Sequence, residues 1–594
     1  MLSLPAEYQS SFALIILLVV MVMLLWDKLK ASIVFLGAAV LLLLTGVLST
    51  REFLHSFSNT SIVSIFLLIF ISSVFQKSFN VIGLLERVFG SGVKPRFFIL
   101  KMSGAVAALS SIMNNTPIVA FMIPFVYNWS KKHKVSPAKL LLPLSFAAIV
   151  GGMITVIGTS TNLVLNGFLE ANGEPTFELS DFIVPGILVT IGCILYLSTI
   201  GYSLLPDRKD ISDEIQENVR EFLVELEIDP SAEWSGDTVI EAGLRNLDSL
   251  YLVEVLRDGK RIFPVMPEER LFSGDRLFFA GDTSKAAALV RSRKALTWSK
   301  AAKFGLENAS ELVEVVVPFN SSLTDQTVKD FSFRDRFNAA VVAVHRNGVQ
   351  LEGKIGEIKL KVGDMMLLVA GSQFNSLIRQ SKDIYVISRA AQNHVELTSN
   401  KKLFLASTAL VVFSMLVGFV TFFQGLLLIL GASFGFKLFN GNDVKKDLNI
   451  DLLLILASAI SLGSALIATG ASEVLASWFL TLFANTTPFV LLVGIYFLTI
   501  LFTTFVTNVA AVSIVFPLVY SIVQGVPEAH TWVFYMAVAF GASAAFLTPV
   551  SYQTNLMIYG PGNYTQKDFL RVGTPMLLVY SAIILSYLYI QFTA

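Results

Sequence analysis

Apolar runs alternate with short polar breaks over most of the chain, and the runs have the lengths of membrane-crossing segments. They lie near residues 12–26, 31–49, 61–76, 139–169 and 182–204, and again near 403–420, 423–438, 450–468, 531–559 and 574–592. The pattern reads each of them as crossing a hydrocarbon core of roughly 30 Å. Two stretches differ in form. Residues 97–128 and 488–524 carry apolar sequence on both sides of a polar tip, Asn114-Asn115-Thr116 in the first and Thr507-Asn508 in the second, and each predicts a re-entrant helical hairpin. The runs at 139–169 and 531–559 are also interrupted, by Gly158-Thr159-Ser160-Thr161-Asn162 and by Ser551-Tyr552-Gln553-Thr554-Asn555. Backbone released from helical hydrogen bonds is tolerated at membrane depth only inside protein or beside a wet cavity, so these breaks predict discontinuous helices around a polar site.

The breaks recur in register. At an offset of 393 residues Ser110, Asn115, Val119, Pro124, Val126 and Tyr127 fall on Thr503, Asn508, Val512, Pro517, Val519 and Tyr520. The same offset, without a gap, places Thr155, Thr161-Asn162-Leu163 and Gly167 on Thr548, Thr554-Asn555-Leu556 and Gly560. Two blocks holding one register predict a duplicated membrane unit.

Between the copies the pattern changes. From about 206 to 401 charges are dense, no run has spanning length, and short alternating strands appear. Arg257-Asp258-Gly259 and Gly274-Asp275 recur 89 residues later as Arg346-Asn347-Gly348 and Gly363-Asp364, where Asp-Gly and Asn-Gly are hairpin-turn signals. The fold class that follows is a mainly α polytopic membrane protein. It is an inverted repeat of five transmembrane helices plus one re-entrant hairpin each, with two small α+β cytoplasmic domains inserted between the repeats. The boundaries are 1–205 (hairpin 97–128, broken helix 139–169), 206–298, 299–401 and 402–594 (hairpin 488–524, broken helix 531–559).

Charge supplies the orientation. Lys94, Arg96 and Lys101 precede the first hairpin and Lys131, Lys132 and Lys134 follow it, which puts both ends of that hairpin on the cytoplasmic side together with Asp27-Lys28-Leu29-Lys30 and 205–210. The loops at 50–60 and 170–181 carry one basic residue, Arg51, and the second hairpin has no Lys or Arg at either end, so these lie outside. An odd number of crossings per copy makes the second copy inverted, sets Lys445, Lys446, Lys567 and Arg571 inside, and leaves both termini outside. The apolar run at 12–26 lacks a basic leader and a small-residue cleavage site, and reads as a retained span.

Composition narrows the function. At 54% hydrophobic and 15% charged residues the chain has the make-up of an integral membrane protein. Its 44 Lys and Arg balance 44 Asp and Glu, with no basic run interleaved with aromatics, so nucleic acid is excluded as a partner. The single cysteine, Cys193, excludes an intrachain disulfide and a cysteine-rich metal site, and His133 and His345 have no partner at metal-ligand spacing.

The candidate chemistry sits at the breaks. A helix interrupted in mid-membrane presents N–H groups at one half-helix start, which favour anions, and carbonyls at another end, which favour cations. The side chains available there are Ser110, Asn114, Asn115, Thr116, Thr159, Ser160, Thr161 and Asn162 in the first half, and Thr503, Thr507, Asn508, Ser551, Gln553, Thr554 and Asn555 in the second. All are neutral, and residues 97–128, 139–168, 489–520 and 531–559 contain no Asp, Glu or Arg. A proton antiporter or a channel with an acidic ring uses an ionisable side chain at that depth. Neutral oxygens instead suit an anion carried with a co-bound cation, Na⁺ being the natural coupling ion. An isolated Asn or Ser in a membrane helix, such as Asn128 or Ser145, more often ties helices together, but packing alone does not require the same polar break twice. An intramembrane enzyme is excluded by the lack of a His, Asp or Glu at the breaks.

At these residues the chain resembles the divalent anion:sodium symporter family of the ion transporter superfamily. That family carries a Ser-Asn-Thr signature at each hairpin tip, which here reads Asn114-Asn115-Thr116 and Thr507-Asn508-Val509, and a Gly-x-x-x-Asn-like stretch matched at Gly158–Asn162 and, with Ser for Gly, at Ser551–Asn555. The resemblance implies one Na⁺ site at Ser110, Asn114, Asn115 and the backbone of Gly158, and a second at Thr503, Val506, Asn508 and Ser551. It also implies a substrate site at Asn114, Asn115, Thr116, Thr159, Thr507, Asn508, Val509, Tyr552 and Gln553, supported by Thr161, Asn162, Thr554 and Asn555. An elevator-type transport cycle, a homodimer, and surrounding membrane lipid and a small anion as partners complete the expectation. Val509 lacks the hydroxyl of the signature, and Tyr552-Gln553 replaces the smaller Thr-Pro of dicarboxylate carriers. The inserted domains resemble RCK C-terminal (TrkA-C) domains, which accompany members labelled sulfate permeases and imply an unidentified regulatory ligand. Together these imply import of sulfate or a similar divalent oxyanion. The alternatives are a carrier of dicarboxylates or small amino-acid-like anions and, more distantly, an RCK-regulated cation channel or K⁺ uptake subunit.

Overall fold

The fold was taken from a computed structural model of the chain. It describes all residues except 1–3, 27–28, 79–93, 209–222, 230–235, 246, 248–249, 259, 263–264, 282–285, 293–294, 299–310, 319–320, 347–348, 352–354, 372, 379–380, 382, 388–397, 440–449, 485 and 594. Asp27, Lys28, Gly259, Asn347, Gly348, Lys445 and Lys446 therefore lie outside the described residues, as does the start of the second inserted domain expected at 299, whereas the boundary expected between 401 and 402 falls inside the helix Ser399–Leu416.

Most of the protein is helical, as the hydrophobic pattern demands. Six of the described helices are long and apolar enough to cross a membrane, among them Ala6–Trp26, Ile450–Ala468 and the 28-residue Gln566–Thr593. The expected runs at 31–49 and 423–438 form shorter helices, Ala31–Leu44 and Phe422–Gly435, each of 14 residues and about 21 Å. The first stops because Gly46 takes a left-handed φ of 73°. Two helices fall where no span was expected. Thr50–Phe57 is started by a capping box in which Ser49 and Glu52 exchange hydrogen bonds, and Ala471–Leu482 leads from Ile450–Ala468 towards the second hairpin.

The helices are interrupted at each of the four polar breaks. The first hairpin has an entry arm Pro95–Ser110 and a return arm Asn115–Lys132; the second has Pro488–Phe505 and Asn508–Val523. Proline opens each entry arm, where its missing N–H costs nothing. The broken helices have leading halves Ala138–Gly152 and Glu528–Ala542 and trailing halves Ser160–Ala171 and Gln553–Tyr559. The 393-residue register extends to side-chain hydrogen bonds. Thr155 Oγ1 donates to the Ser111 carbonyl and Thr548 Oγ1 to that of Thr504, while Asn162 Nδ2 and Asn555 Nδ2 reach the carbonyls of Thr155 and Thr548, each at 3.4 Å.

Tertiary packing interlocks the halves. Ala31–Leu44 lies along Ile450–Ala468, and Ile183–Ser198 along Gln566–Thr593. The return arm of each hairpin packs on the trailing half of the opposite broken helix, 115–132 on 553–559 and 508–523 on 160–171, the latter through stacked Phe168 and Phe516 at 4.9 Å.

Between the halves stand two five-stranded sheets. The first comprises β1 (Leu223–Ile228), β2 (Leu250–Arg257), β3 (Lys260–Ile262), β4 (Arg276–Gly281) and β5 (Leu296–Trp298) in the order β3-β2-β4-β1-β5. The second comprises β6 (Glu311–Val316), β7 (Ala339–Arg346), β8 (Val349–Gln350), β9 (Met365–Ala370) and β10 (Tyr385–Val386), in the equivalent order β8-β7-β9-β6-β10. The 89-residue repeat is carried in detail. The β2–β4 ladder is irregular between Leu252 and Glu254 and the β7–β9 ladder between Val341 and Ala343. Arg257 grips Asp275, and Arg346 grips Asp364, each through Nε and Nη2. These bidentate pairs hold the turns at Gly274 and Gly363 that start β4 and β9.

One titratable group in the second sheet yields a prediction. His345 is buried, and burial pushes its imidazole down to about 4. The unfolded chain takes up a proton near 6.5 and the folded one does not, so stability is undiminished above pH 6.5 and is lost as pH falls towards 4. Acidification from pH 7.5 to 5 is expected to destabilise this sheet by about 2 kcal/mol. Proteolysis of the intact protein within 311–386 checks this, since His345→Leu should flatten its pH dependence; an unchanged slope would mean that another group titrates.

Candidate functional site

Each hairpin tip turns without helix and restarts on a buried asparagine. Asn115 and Asn508 are the first residues of the return arms, preceded by Asn114 and Thr507, whose side-chain oxygens accept from the backbone N–H of Thr116 (3.2 Å) and of Ala510 (3.4 Å). Those caps satisfy helix-start donors that would otherwise be orphaned. Behind each asparagine stands a hydroxyl from the entry arm. Ser110 Oγ bonds to Asn115 Oδ1 and, at 2.7 Å, to the Ala148 carbonyl; Thr503 Oγ1 lies 2.9 Å from Asn508 Oδ1 and 2.7 Å from the Ala542 carbonyl. Both amide oxygens are thereby turned towards the leading half of the broken helix.

In the first half this gathers oxygens around a gap that only glycine leaves open. A Cβ on Gly158 would collide with the Gly152 carbonyl oxygen and lie 2.6 Å from that of Ser110. One on Gly152 would lie 2.6 Å from Asn115 Oδ1 and 3.1 Å from the Gly158 carbonyl oxygen. Ser110, Asn115 and Gly158 thus lie together, and Gly152, which the sequence reading missed, joins them. The Gly151-Gly152 pair at the end of an apolar run was the available signal. Asn162 Oδ1, buried and without a hydrogen-bond partner, adds an unused acceptor on the trailing half. Neutral oxygens in such a cluster can hold a monovalent cation.

The second half is built similarly but not identically. Ser551 Oγ donates to the Thr548 carbonyl at 2.7 Å, and Asn555 Nδ2 donates to the Ala545 carbonyl at 2.8 Å. Val506 ends the entry arm in an extended conformation and is buried. Ser543 Oγ is buried without a partner in this region, an acceptor that no sequence motif marked.

The halves meet through side chains on the two sets of breaks. Asn115 Nδ2 donates to the Tyr552 hydroxyl at 2.8 Å, and Thr116 Oγ1 donates to Gln553 Oε1 at 2.9 Å. Tyr552 also bonds to Thr159, which itself lies 3.2 Å from Thr161. Ser145, read from sequence as a packing residue, bonds to Thr554 Oγ1 (2.8 Å) and Asn555 Oδ1 (2.7 Å) across the same interface. The two sides then diverge. Asn115 has both amide atoms engaged, whereas Asn508 Nδ2 is buried with no partner, beside apolar Val509. A buried amide donor left unpaired costs about 1–3 kcal/mol, which a bound hydrogen-bond acceptor would recover.

The comparisons with known proteins agree with a transporter. The model of the family described as citrate transporter matches residues 21–534 and 425–593. The chain is 31% identical to a putative sulfur deprivation response regulator of Chlamydomonas reinhardtii over 93% of its own length and 97% of the relative's. It is 27% identical to an uncharacterized transporter of Synechocystis, across 97% of this chain and 96% of that one. Sodium/sulfate cotransporter 1 of Chlamydomonas reinhardtii is 22% identical over 89% and 84% of the two chains.

Proposed function

This chain belongs to the citrate transporter family, a multi-pass membrane transport protein rather than an enzyme, and we propose that it imports a divalent oxyanion, foremost sulfate, together with Na⁺. The observation that carries this reading is the paired asparagine geometry. Two buried amides start two helices, each held by a hydroxyl at the same offset, and Asn508 offers an unspent N–H donor where the helix-start dipole favours negative charge. The oxygen cluster of Ser110, Asn115, Gly152 and Gly158 would hold the cation, and Thr503, Asn508, Ser551 and Ser543 would form its counterpart. With no ionisable side chain at the breaks, a co-bound cation is what balances a doubly charged anion. Relatives named sodium/sulfate cotransporters support the choice of ion pair.

The transport cycle that fits is an elevator movement of hairpins and broken helices in a homodimer. The second copy would be inverted relative to the first, with the sheet domains on the cytoplasmic side as RCK C-terminal-like regulatory modules. A second reading, a carboxylate carrier, is favoured by the description of the matching family as citrate transporter. Counterflow in proteoliposomes separates the two. Labelled sulfate loaded inside is expected to exchange with external sulfate and related oxyanions only when Na⁺ is present. Exchange with citrate or succinate but not sulfate would establish the carboxylate reading, and exchange driven by a proton gradient without Na⁺ would overturn the coupling.

A further inference from the structure

The second sheet does not stand apart from the membrane helices. Along β9 the side chains alternate: Met366, Leu368 and Ala370 fill the sheet's own core, while Met365, Leu367 and Val369 face the other way and are also buried. They share one buried cluster with Val316, Ala340 and Val342, with Val253 on β2 of the first sheet, and with Tyr127 near the end of the first hairpin's return arm. Lys131, one turn further on, lies 4.9 Å from the Tyr127 ring centre and 3.9 Å from Glu314 Oε1 on β6. The equivalent positions in the first sheet, 89 residues earlier, are Arg276, Phe278 and Ala280. Arg276 is paired there with Glu225, and the first sheet adds only Val253 of β2 to the cluster that holds Tyr127.

The turn before β9 makes a second contact. Gly363 has a φ of 83°, and a Cβ there would lie 2.7 Å from the Leu556 carbonyl oxygen; a Cβ on Gly560 would collide with the Gly363 carbonyl. Leu556 and Gly560 belong to the end of the trailing half Gln553–Tyr559 and the residue after it. One domain therefore holds the far ends of two helices whose starts carry the paired residues Asn115 with Tyr552 and Thr116 with Gln553. The return arm, 18 residues and about 27 Å long with Pro124 in its interior, runs from that grip to the hairpin tip.

We propose that the second sheet domain is a clamp that sets the spacing of the anion site from its far side, with Tyr127, Gly363 and Gly560 as positioning residues. The clamp rests on the transport reading only for its effect on uptake; its effect on the tip is independent of substrate. Gly560→Ala in the full-length protein inserts a methyl group against the Gly363 backbone and is expected to raise KM for the transported anion about fivefold with kcat within about twofold. Maleimide labelling of a cysteine placed at Met113, beside the tip, is expected to accelerate by a similar factor. Tyr127→Ala should reproduce both changes, Tyr127→Phe neither, and combining Gly560→Ala with Tyr127→Ala should add little, because the two contacts act through one clamp and loosening either releases it. Should Gly560→Ala fail to reach the membrane, the Tyr127 pair decides. Unchanged KM and labelling in Tyr127→Ala would overturn the clamp. If no anion is transported by the wild type, the transport reading fails while the labelling rates still test the clamp.

Discussion

Asn508→Ala is expected to lower anion uptake by about a hundredfold while leaving the protein folded. The asparagine is 4% exposed, and its amide nitrogen is the unpaired donor of the site. A hydrogen bond from such a group to an ionised acceptor contributes about 1.5–3 kcal/mol, which corresponds to roughly 10- to 150-fold in affinity. Loss of its oxygen should further weaken the neighbouring cation cluster, since Asn508 Oδ1 accepts from Thr503. The fold survives because Thr503 Oγ1 keeps the Ala542 carbonyl at 2.7 Å as an alternative acceptor. Asn128→Ala is the matched control. Asn128 also has an amide nitrogen without a hydrogen-bond partner, but it lies near the other end of the return arm, and its replacement should leave uptake within about twofold. Initial rates of labelled sulfate uptake, normalised to monodisperse protein, check both. Wild-type rates in Asn508→Ala would remove this residue, and with it the proposed anion site.

Gly158→Ala is expected to abolish Na⁺ activation, raising the half-saturating Na⁺ concentration beyond the measurable range. The added methyl group would occupy the space into which the Ser110 and Gly152 carbonyls point, 2.6 Å from the former. Overpacking a rigid backbone pocket costs about 1–3 kcal/mol even before any ligand is displaced. Gly104→Ala separates this from a general intolerance of alanine. Gly104 lies in the entry arm of the same hairpin, is exposed, and has nothing within 4 Å of an added Cβ. That variant should retain uptake and its Na⁺ dependence, helped slightly by the higher helix propensity of alanine. An unaltered Na⁺ response in Gly158→Ala would place the cation elsewhere.

Much of the site was legible from spacing because its constraints are local. Unpaired backbone is costly in lipid, so Asn114-Asn115-Thr116, Thr507-Asn508, Gly158–Asn162 and Ser551–Asn555 each announce a break. Local signals failed where they were short or absent. The Ser-x-x-Glu start of Thr50–Phe57 is a single capping box within an assumed loop. Ala471–Leu482 has only 12 residues, too few for a crossing, although Thr469-Gly470 before it and Asn485-Thr486-Thr487-Pro488 after it set it off from the flanking apolar sequence. Gly152 was overlooked because a glycine in an apolar run also reads as helix packing.

By itself the sequence determined that the chain is a membrane protein, that a polar break occurs four times, and that one unit recurs after 393 residues and a smaller one after 89. Hydrophobic period and backbone satisfaction act within a segment, so they can be read from order alone. Only the tertiary structure decided that each return arm packs on the opposite half's broken helix, that Asn115 spends its amide on Tyr552 while Asn508 keeps its own, and that the second sheet grips Tyr127 and Gly560. Those contacts join residues hundreds of positions apart, where neither periodicity nor propensity reaches, and they depend on which surfaces fit once the helices are formed.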